Sequence, residues 1–320
     1  MHDLMQALST IGIVPVIKLD HPEDAVPLVR ALAEGGLPCA EITFRTDAAE
    51  ESIRRVAKEC PEVLVGAGTV LTTEQADRAW AAGAKFIVSP GLNPKVVSHC
   101  LERGMPILPG ATSASEIETA LEFGLNVVKF FPAEQSGGIA FIKALSAAYG
   151  NLRFMPTGGI SAKNLNEYLS FDKILACGGS WMVPADLIAA KDFDGITALT
   201  RQAVQTMLGF HIIHIGVNAG SEAEAEGMAK VFCDLFGVGA KVGTSSIFSG
   251  PLIEVMKGQG RGTHGHIGIG VNSFARARRW LENKGYKFDE STLKLDEHGK
   301  PFMCYIEGEY AGFAVHFNQK

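Results

Sequence analysis

Lys129 stands inside Val-Val-Lys-Phe-Phe-Pro, residues 127–132, a run that is otherwise apolar. A short β-branched and aromatic run ending in a turn signal reads as a buried strand. Side chains alternate across a strand, so Val127, Lys129 and Phe131 share one face and Val128 and Phe130 the other. Apolar residues on both faces predict a parallel strand covered on each side. A lysine there is stripped of water, which favours the neutral amine, the form that adds to a ketone to make a Schiff base. The plain alternative is an ammonium that snorkels to solvent or pairs with a carboxylate. The second chemical stretch is Glu41-Ile42-Thr43-Phe44-Arg45. Alternation puts Glu41, Thr43 and Arg45 on one face, where a carboxylate and a guanidinium are costly unless they pair or serve a purpose.

These residues need elements to position them. Residues 13–180 repeat a short apolar strand, a small or polar turn and an amphipathic helix. The strand candidates are 14–19, 39–44, 64–70, 86–89, 106–110, 127–131, 154–157 and 174–176. Helical patterns fill the gaps, for example at 48–58, 73–82, 94–103, 115–123 and 139–149. Strands alternating with helices imply parallel pairing through right-handed crossovers. The expected fold class is therefore α/β, a (β/α)8 TIM barrel, which uses every strand without leaving an edge. An open doubly wound sheet is disfavoured, because no dinucleotide fingerprint follows the first strand.

In such a barrel the chemistry sits at the C-terminal strand ends. Those ends read Gly66-Ala67-Gly68-Thr69, Ser89-Pro90-Gly91, Thr157-Gly158-Gly159 and Gly178-Gly179-Ser180. Small residues on the third leave room, and Thr69 adds a hydroxyl. The paired glycine turns after the last two strands offer backbone N–H groups of the kind that hold a phosphate. Neither turn contains an arginine or lysine, so the expected phosphate pocket is neutral.

Composition narrows the function classes. Of 320 residues, 47% are hydrophobic and 20% charged, which gives a sizeable core and argues against disorder. A net charge of −6 without a long basic block argues against nucleic acid or an anionic membrane as partner. Six scattered cysteines with no CxxC pair predict reduced thiols and a cytoplasmic location. The first residues lack a charged n-region and a long apolar h-region, and no apolar run reaches transmembrane length.

From about residue 7 to 207 the chain resembles the 2-keto-3-deoxy-6-phosphogluconate / 4-hydroxy-2-oxoglutarate (KDPG/KHG) aldolase family. The likeness is carried, in order, by Glu41-Ile-Thr-Phe-Arg-Thr, Gly66-Ala-Gly-Thr-Val, Ser89-Pro-Gly, Lys129-Phe-Phe-Pro-Ala-Glu, Pro156-Thr-Gly-Gly-Ile and Gly178-Gly-Ser-Trp. It implies a class I aldolase without a cofactor, acting on a small 2-keto acid with a phosphate group to give pyruvate, and a homotrimer. It makes Lys129 the imine-forming residue and Glu41 the proton carrier. Arg45 and Thr69 would hold the substrate carboxylate; Thr157, Gly158, Gly159, Gly179 and Ser180 the phosphate. Pro90 and Phe131 would line the site. The chemistry is coherent: cleavage beta to a ketone needs an electron sink, which a protonated imine supplies, and a carboxylate to move protons. Lys18 is read as a strand-end lysine near the mouth, Glu134 as a helix N-terminal carboxylate, and Cys177 as packing. A small-molecule-binding regulatory protein on an inactive barrel, and an aldolase for a different 2-keto-4-hydroxy acid, are the competing readings.

A new pattern starts near Phe210. The expected boundaries are 1–208 for the barrel and 209–320 for a small α+β domain of paired βαβββ units. His-Ile-Gly-Val-Asn at 214–218 echoes His-Ile-Gly-Ile-Gly-Val-Asn at 266–272, and Gly250-Pro-Leu-Ile-Glu254 echoes Gly312-Phe-Ala-Val-His316. The repeat resembles the glyoxalase / vicinal-oxygen-chelate family, which would make Glu254, His266 and His316 metal ligands. Aligned by Gly-Val-Asn, Ile212 takes the fourth place and His214 lies two residues on. Set against strand histidines satisfied by hydrogen bonds, the reading assigns no metal.

Overall fold

The computed structural model describes residues 2–319. The chain divides into two compact units, one up to Met207 and one from Leu208. In the first unit the strands are β1 (Ile13–Ile17), β2 (Cys39–Thr43), β3 (Leu64–Gly68), β4 (Ile87–Val88), β5 (Ile107–Leu108), β6 (Val127–Phe130), β7 (Arg153–Pro156) and β8 (Cys177–Gly179). The helices are α1 (His2–Ile11), α2 (Ala25–Gly35), α3 (Ala49–Glu59), α4 (Thr73–Ala81), α5 (Pro94–Glu102), α6 (Ala114–Glu122), α7 (Gly138–Ser146), α8 (Leu165–Leu169), α9 (Ala185–Ala189) and α10 (Phe193–Leu208). All strand pairing is parallel: β5-β4-β3-β2-β1-β8 form one sheet and β6-β7 another. Bridges from Gly110 to Lys129 and from Thr157 to Gly178 link β5 to β6 and β7 to β8. Strands β1, β2 and β6 are buried along their whole length, as parallel strands covered by helices must be.

Local chemistry pins the turns that leave the strand ends. Thr72 caps α4, Asn93 caps α5 with Pro94 in its first turn, and Ser113 and Glu116 form a reciprocal capping box on α6. Each cap satisfies an N–H group that the helix itself cannot. Strand β8 begins later than the pattern at 174–176 suggests. Ile174 makes only an isolated bridge to Phe154, while Cys177, Gly178 and Gly179 carry the ladder to Ile13, Val14 and Pro15. Glycines there look like a turn in sequence, but they let β8 lie close to its neighbours.

The second unit comprises β9 (His211–Asn218), α11 (Glu222–Phe236), β10 (Ala240–Val242), β11 (Ser246–Ser249), β12 (Ile253–Met256), β13 (Gly265–Val271), α12 (Phe274–Glu282), β14 (Phe288–Leu295), β15 (Pro301–Ile306) and β16 (Phe313–Gln319). They form one mixed sheet in the order β10-β11-β12-β9-β13-β16-β15-β14. Helix α11 packs through Ala225 and Ala229 on Ile247 and Val255, with Met228 and Phe232 alongside. Strands β10 and β14 lie at the two sheet edges and escape the sequence pattern. All three residues of β10 are exposed, and β14 is largely polar with a broken register, so neither shows a clean alternation.

Gly66 on β3 tests how tightly the first unit is packed. A Cβ there would lie 2.3 Å from the buried Phe86 ring, whereas one at Gly150 meets nothing within 4 Å. Gly66→Ala should cost about 1–3 kcal/mol by overpacking, and Gly150→Ala should stay within about 0.5 kcal/mol of wild type. Denaturant unfolding of both variants measures this; equal midpoints would show that β3 yields to the added methyl.

Candidate active site

Strand β6 carries Lys129 and strand β2 carries Glu41. Between them in the pairing order lie β3, β4 and β5 one way and β1, β8 and β7 the other. The two side chains nevertheless meet, Lys129 Nζ donating to Glu41 Oε1 at 3.0 Å. Both are almost wholly buried, with side-chain exposures of 6% and 0%. Small residues on β3 make this feasible: a Cβ on Gly68 would sit 2.3 Å from Glu41 Oε1. The Phe131 ring flanks the ammonium at 5.6 Å. Desolvation is thus only half of the lysine's environment; a carboxylate completes it. Moving one proton across the contact turns a buried ion pair into a neutral amine and a neutral acid, which relieves the burial of two charges. Glu41 Oε2 is buried and has no hydrogen-bond partner.

The other expected residues divide into two groups. Arg45 lies beyond the end of β2, exposed in the following turn, with Nε 3.4 Å from Thr69 Oγ1. Thr69 holds φ at 56°, a left-handed conformation that is strained for a β-branched residue by about 1–3 kcal/mol. Pro90, half-buried after β4, packs so closely on Gly110 that a Cβ there would lie 2.0 Å from its carbonyl oxygen. Thr157 packs against Gly178, and its Oγ1 is buried without a partner. Gly158 and Gly159 have φ of 97° and 79°, which glycine alone adopts freely. Gly179 lies against Trp181 and Ser180 is exposed at the end of β8.

A cavity of about 550 Å³ opens at this end, with Lys18, His21, Arg45, Ser180 and Lys191 in its lining. Asp20, Glu23 and Asp24 line it as well, so three carboxylates stand beside its lysines and arginine. The cations come from other strands and loops, which local sequence around the glycine turns cannot reveal. Lys18 is indeed exposed at the mouth, where it pairs with Asp20 at 2.8 Å, and Lys191 pairs with Asp24 at 3.4 Å. Thr157, Gly158 and Gly159 are outside that lining. Glu134 is also placed differently. Helix α7 starts only at Gly138, and the Glu134 carboxylate accepts a hydrogen bond from the Tyr168 hydroxyl. Burial, and then that carboxylate, push the Tyr168 hydroxyl pKa far above the usual tyrosine range. Cys177 is fully buried.

In the second unit Glu254, His266 and His316 converge, and His214 joins them. The alignment through Gly-Val-Asn is therefore wrong in this stretch. His214 pairs with Gly268 and Gly216 with His266, so His-Ile-Gly at 214–216 matches His-Ile-Gly at 266–268. Strand β9 carries one extra residue there, a bulge between the Gly268 and Ile269 pairings, and Ile212 falls outside the cluster. The repeated His-Ile-Gly was the usable signal. Burial, then the neighbouring His214 and His266, hold the His316 pKa down to about 4, which keeps its imidazole neutral near pH 7.

A parallel α/β unit with a buried lysine–carboxylate pair at its centre is laid out for imine chemistry. The sequence model described as KDPG and KHG aldolase matches residues 4–199, and the chain belongs to that family. The 2-dehydro-3-deoxy-phosphogluconate aldolase of Treponema pallidum (strain Nichols) is 58% identical over 205 residues, 64% of this chain and 98% of its own. The KDPG aldolase of Legionella pneumophila, solved with pyruvate captured at low pH as a covalent carbinolamine intermediate, superposes with a TM-score of 0.61 at 38% identity. The match covers 62% of this chain and 97% of that one. The enzyme of Zymomonas mobilis ZM4, solved with 3-phosphoglycerate, gives a TM-score of 0.59 at 39% identity over 62% and 94% of the two chains.

Removing Lys129 alone strands the Glu41 carboxylate in the interior. Lys129→Met should lose about 3–5 kcal/mol of stability, and adding Glu41→Gln should recover most of it. Urea unfolding of the two single variants and the double variant reads the coupling. Additive losses would mean that the pair does not interact in solution.

Proposed function

We propose that the first unit is a closed (β/α)8 barrel and a class I aldolase. It cleaves 2-keto-3-deoxy-6-phosphogluconate to pyruvate and glyceraldehyde 3-phosphate, and also 4-hydroxy-2-oxoglutarate to pyruvate and glyoxylate. The observation that carries this reading is the buried 3.0 Å contact between Lys129 and Glu41. The family description names both substrates, and the trapped pyruvate of the Legionella enzyme is the intermediate such a lysine would form.

Lys129 Nζ passes a proton to Glu41 and adds to the C2 carbonyl carbon. Glu41 returns that proton to the carbinolamine hydroxyl, which leaves as water, and the protonated imine results. Glu41 then takes the proton of the C4 hydroxyl, directly or through a water. The C3–C4 bond breaks, its electron pair moves to the imine nitrogen, and the aldehyde departs. Protonation of the enamine at C3 and addition of water release pyruvate and free Lys129. Arg45, with Thr69 beside it, holds the substrate carboxylate in bidentate fashion. Pro90 and Phe131 shape the wall of the imine site. Thr157, Gly158, Gly159, Gly179 and Ser180 hold the phosphate through N–H groups and hydroxyls.

The second unit is a glyoxalase-like domain of two βαβββ units, a reading supported by its element order and by the mirrored register of β9 and β13. The curated Treponema relative is matched over 98% of its own length by 64% of this chain, which supports a barrel that works by itself. Following the family resemblance, the barrels assemble as a homotrimer, and the scattered cysteines suit the cytoplasm.

Borohydride with pyruvate should add one adduct, on a peptide containing Lys129, and none in Lys129→Met; an adduct on Lys18 would reassign the nucleophile. Glu41→Gln should slow turnover roughly 10²–10⁴-fold with little change in pyruvate binding, and normal imine formation and proton exchange in that variant would remove Glu41 from the mechanism. Chelators should leave the cleavage rate unchanged, and so should truncation after Leu208. Wild type should show the higher kcat/KM on the phosphorylated substrate. Ser180→Ala should raise KM for that substrate alone by about ten- to hundred-fold, the worth of one hydrogen bond to a charged group. Equal losses on both substrates would place the phosphate elsewhere.

A further inference from the structure

Glu134 and Tyr168 form a long-range pair that takes no part in the bond-making steps. It stands where the segments leaving β6 and β7 run side by side. Ala133 N donates to Thr157 O at 2.8 Å, and Glu134 N to Gly158 O at 3.1 Å. From the other side of the turn, Asn164 Nδ2 donates to Gly159 O at 3.1 Å, while its Oδ1 accepts from Ser161 N at 2.8 Å. A trans peptide points its N–H away from its C=O. Holding the carbonyls of Gly158 and Gly159 therefore also fixes where the N–H groups of Gly159 and Ile160 aim.

Glu134 grips the turn with its side chain as well. A Cβ on Gly159 would lie 2.4 Å from Glu134 Cγ and 2.6 Å from its Cβ, so the stem of the glutamate lies against bare glycine backbone. Gly158 packs on the same segment, where a Cβ would lie 3.2 Å from Pro132 Cα. Glycine populates many backbone conformations, so two in succession keep one only when their surroundings hold it.

The glutamate is itself exposed, and an untethered one would exchange rotamers. The Tyr168 hydroxyl fixes it by donating to Oε1. Tyr168 is fully buried on α8, four residues after Asn164, the residue that caps that helix. Both outer grips on the turn thus come from one short helix. Burial, and then the carboxylate, raise the tyrosine pKa, which keeps the hydroxyl a donor. The start of α7 closes over the bond: a Cβ on Gly138 would lie 3.3 Å from both Glu134 Oε1 and the Tyr168 hydroxyl oxygen.

We propose that Glu134 and Tyr168 are positioning residues, a tether that holds the Gly158–Gly159 turn in the one conformation that receives the substrate phosphate; this rests on the reading of that turn as the phosphate site. Neither residue needs to touch the substrate. The tether acts on the phosphate end and leaves the Lys129–Glu41 contact as it is.

The test is steady-state kinetics of the full chain on 2-keto-3-deoxy-6-phosphogluconate and on 4-hydroxy-2-oxoglutarate. Tyr168→Phe and Glu134→Ala should each raise KM for the phosphorylated substrate by roughly two- to thirty-fold, the range in which residues without ligand contact modulate binding. The loss of kcat/KM on the unphosphorylated substrate should be much smaller. The double variant should be no worse than the poorer single one, because both break the same tether. Glu134→Gln, whose amide oxygen can still accept from Tyr168, should recover most of the Glu134→Ala loss. Equal losses on both substrates, or additive losses in the double variant, would overturn the tether. Ser180→Ala separates the two ideas. If it raises KM for the phosphorylated substrate alone while Tyr168→Phe and Glu134→Ala do not, the phosphate reading stands and the tether falls. If all three variants spare that substrate, both fall.

Discussion

The ion pair between Lys129 and Glu41 is the constraint on which the first unit depends. Taking two charges out of water costs several kcal/mol for each ion, and the attraction between them offsets this only in good geometry. That geometry cannot be local. The two residues are 88 positions apart and stand on strands separated by three others whichever way the pairing is followed. Parallel pairing, helices over the outer faces and capped strand-to-helix turns fix the two backbones. Gly68 then leaves the space into which the carboxylate folds. A pair held this way keeps the amine and the carboxylate within hydrogen-bond reach of each other.

The rest of the site is built with less burial. Arg45 and Ser180 stand exposed in turns and border one cavity. Backbone conformation does the work that side chains do deeper in. Thr69 is held left-handed beside Arg45, and Gly158 and Gly159 turn the chain where only glycine does so without strain. The gradient runs from a dry ion pair at the centre to exposed side chains at the rim.

The second unit solves a similar packing problem on a sheet. Four polar side chains share one face because glycines alternate with them in neighbouring rows. In the first unit small residues make room for one carboxylate; in the second they make room for two rings. In both, the residue that lacks a side chain decides where the functional one can lie.

The sequence by itself determined a good deal. The strand–helix rhythm, the faces on which Lys129 and Glu41 point, the small residues of β3 and the boundary near residue 208 all follow from side-chain period and local turn chemistry. Those are properties of neighbours along the chain. It did not disclose edge strands such as β14, whose polar residues meet solvent on both sides, or the strand role of Cys177–Gly179, whose glycines resemble a turn. Nor did it show that Lys18, Arg45, Ser180 and Lys191 border one cavity, since they come from four separate segments. His214 is the clearest instance. The sequence leaves two alignments of the repeat open, by His-Ile-Gly or by Gly-Val-Asn, and the pairing of His214 with Gly268 and of Gly216 with His266 selects the first. Register is set by contacts between distant segments, so the tertiary structure alone decided it.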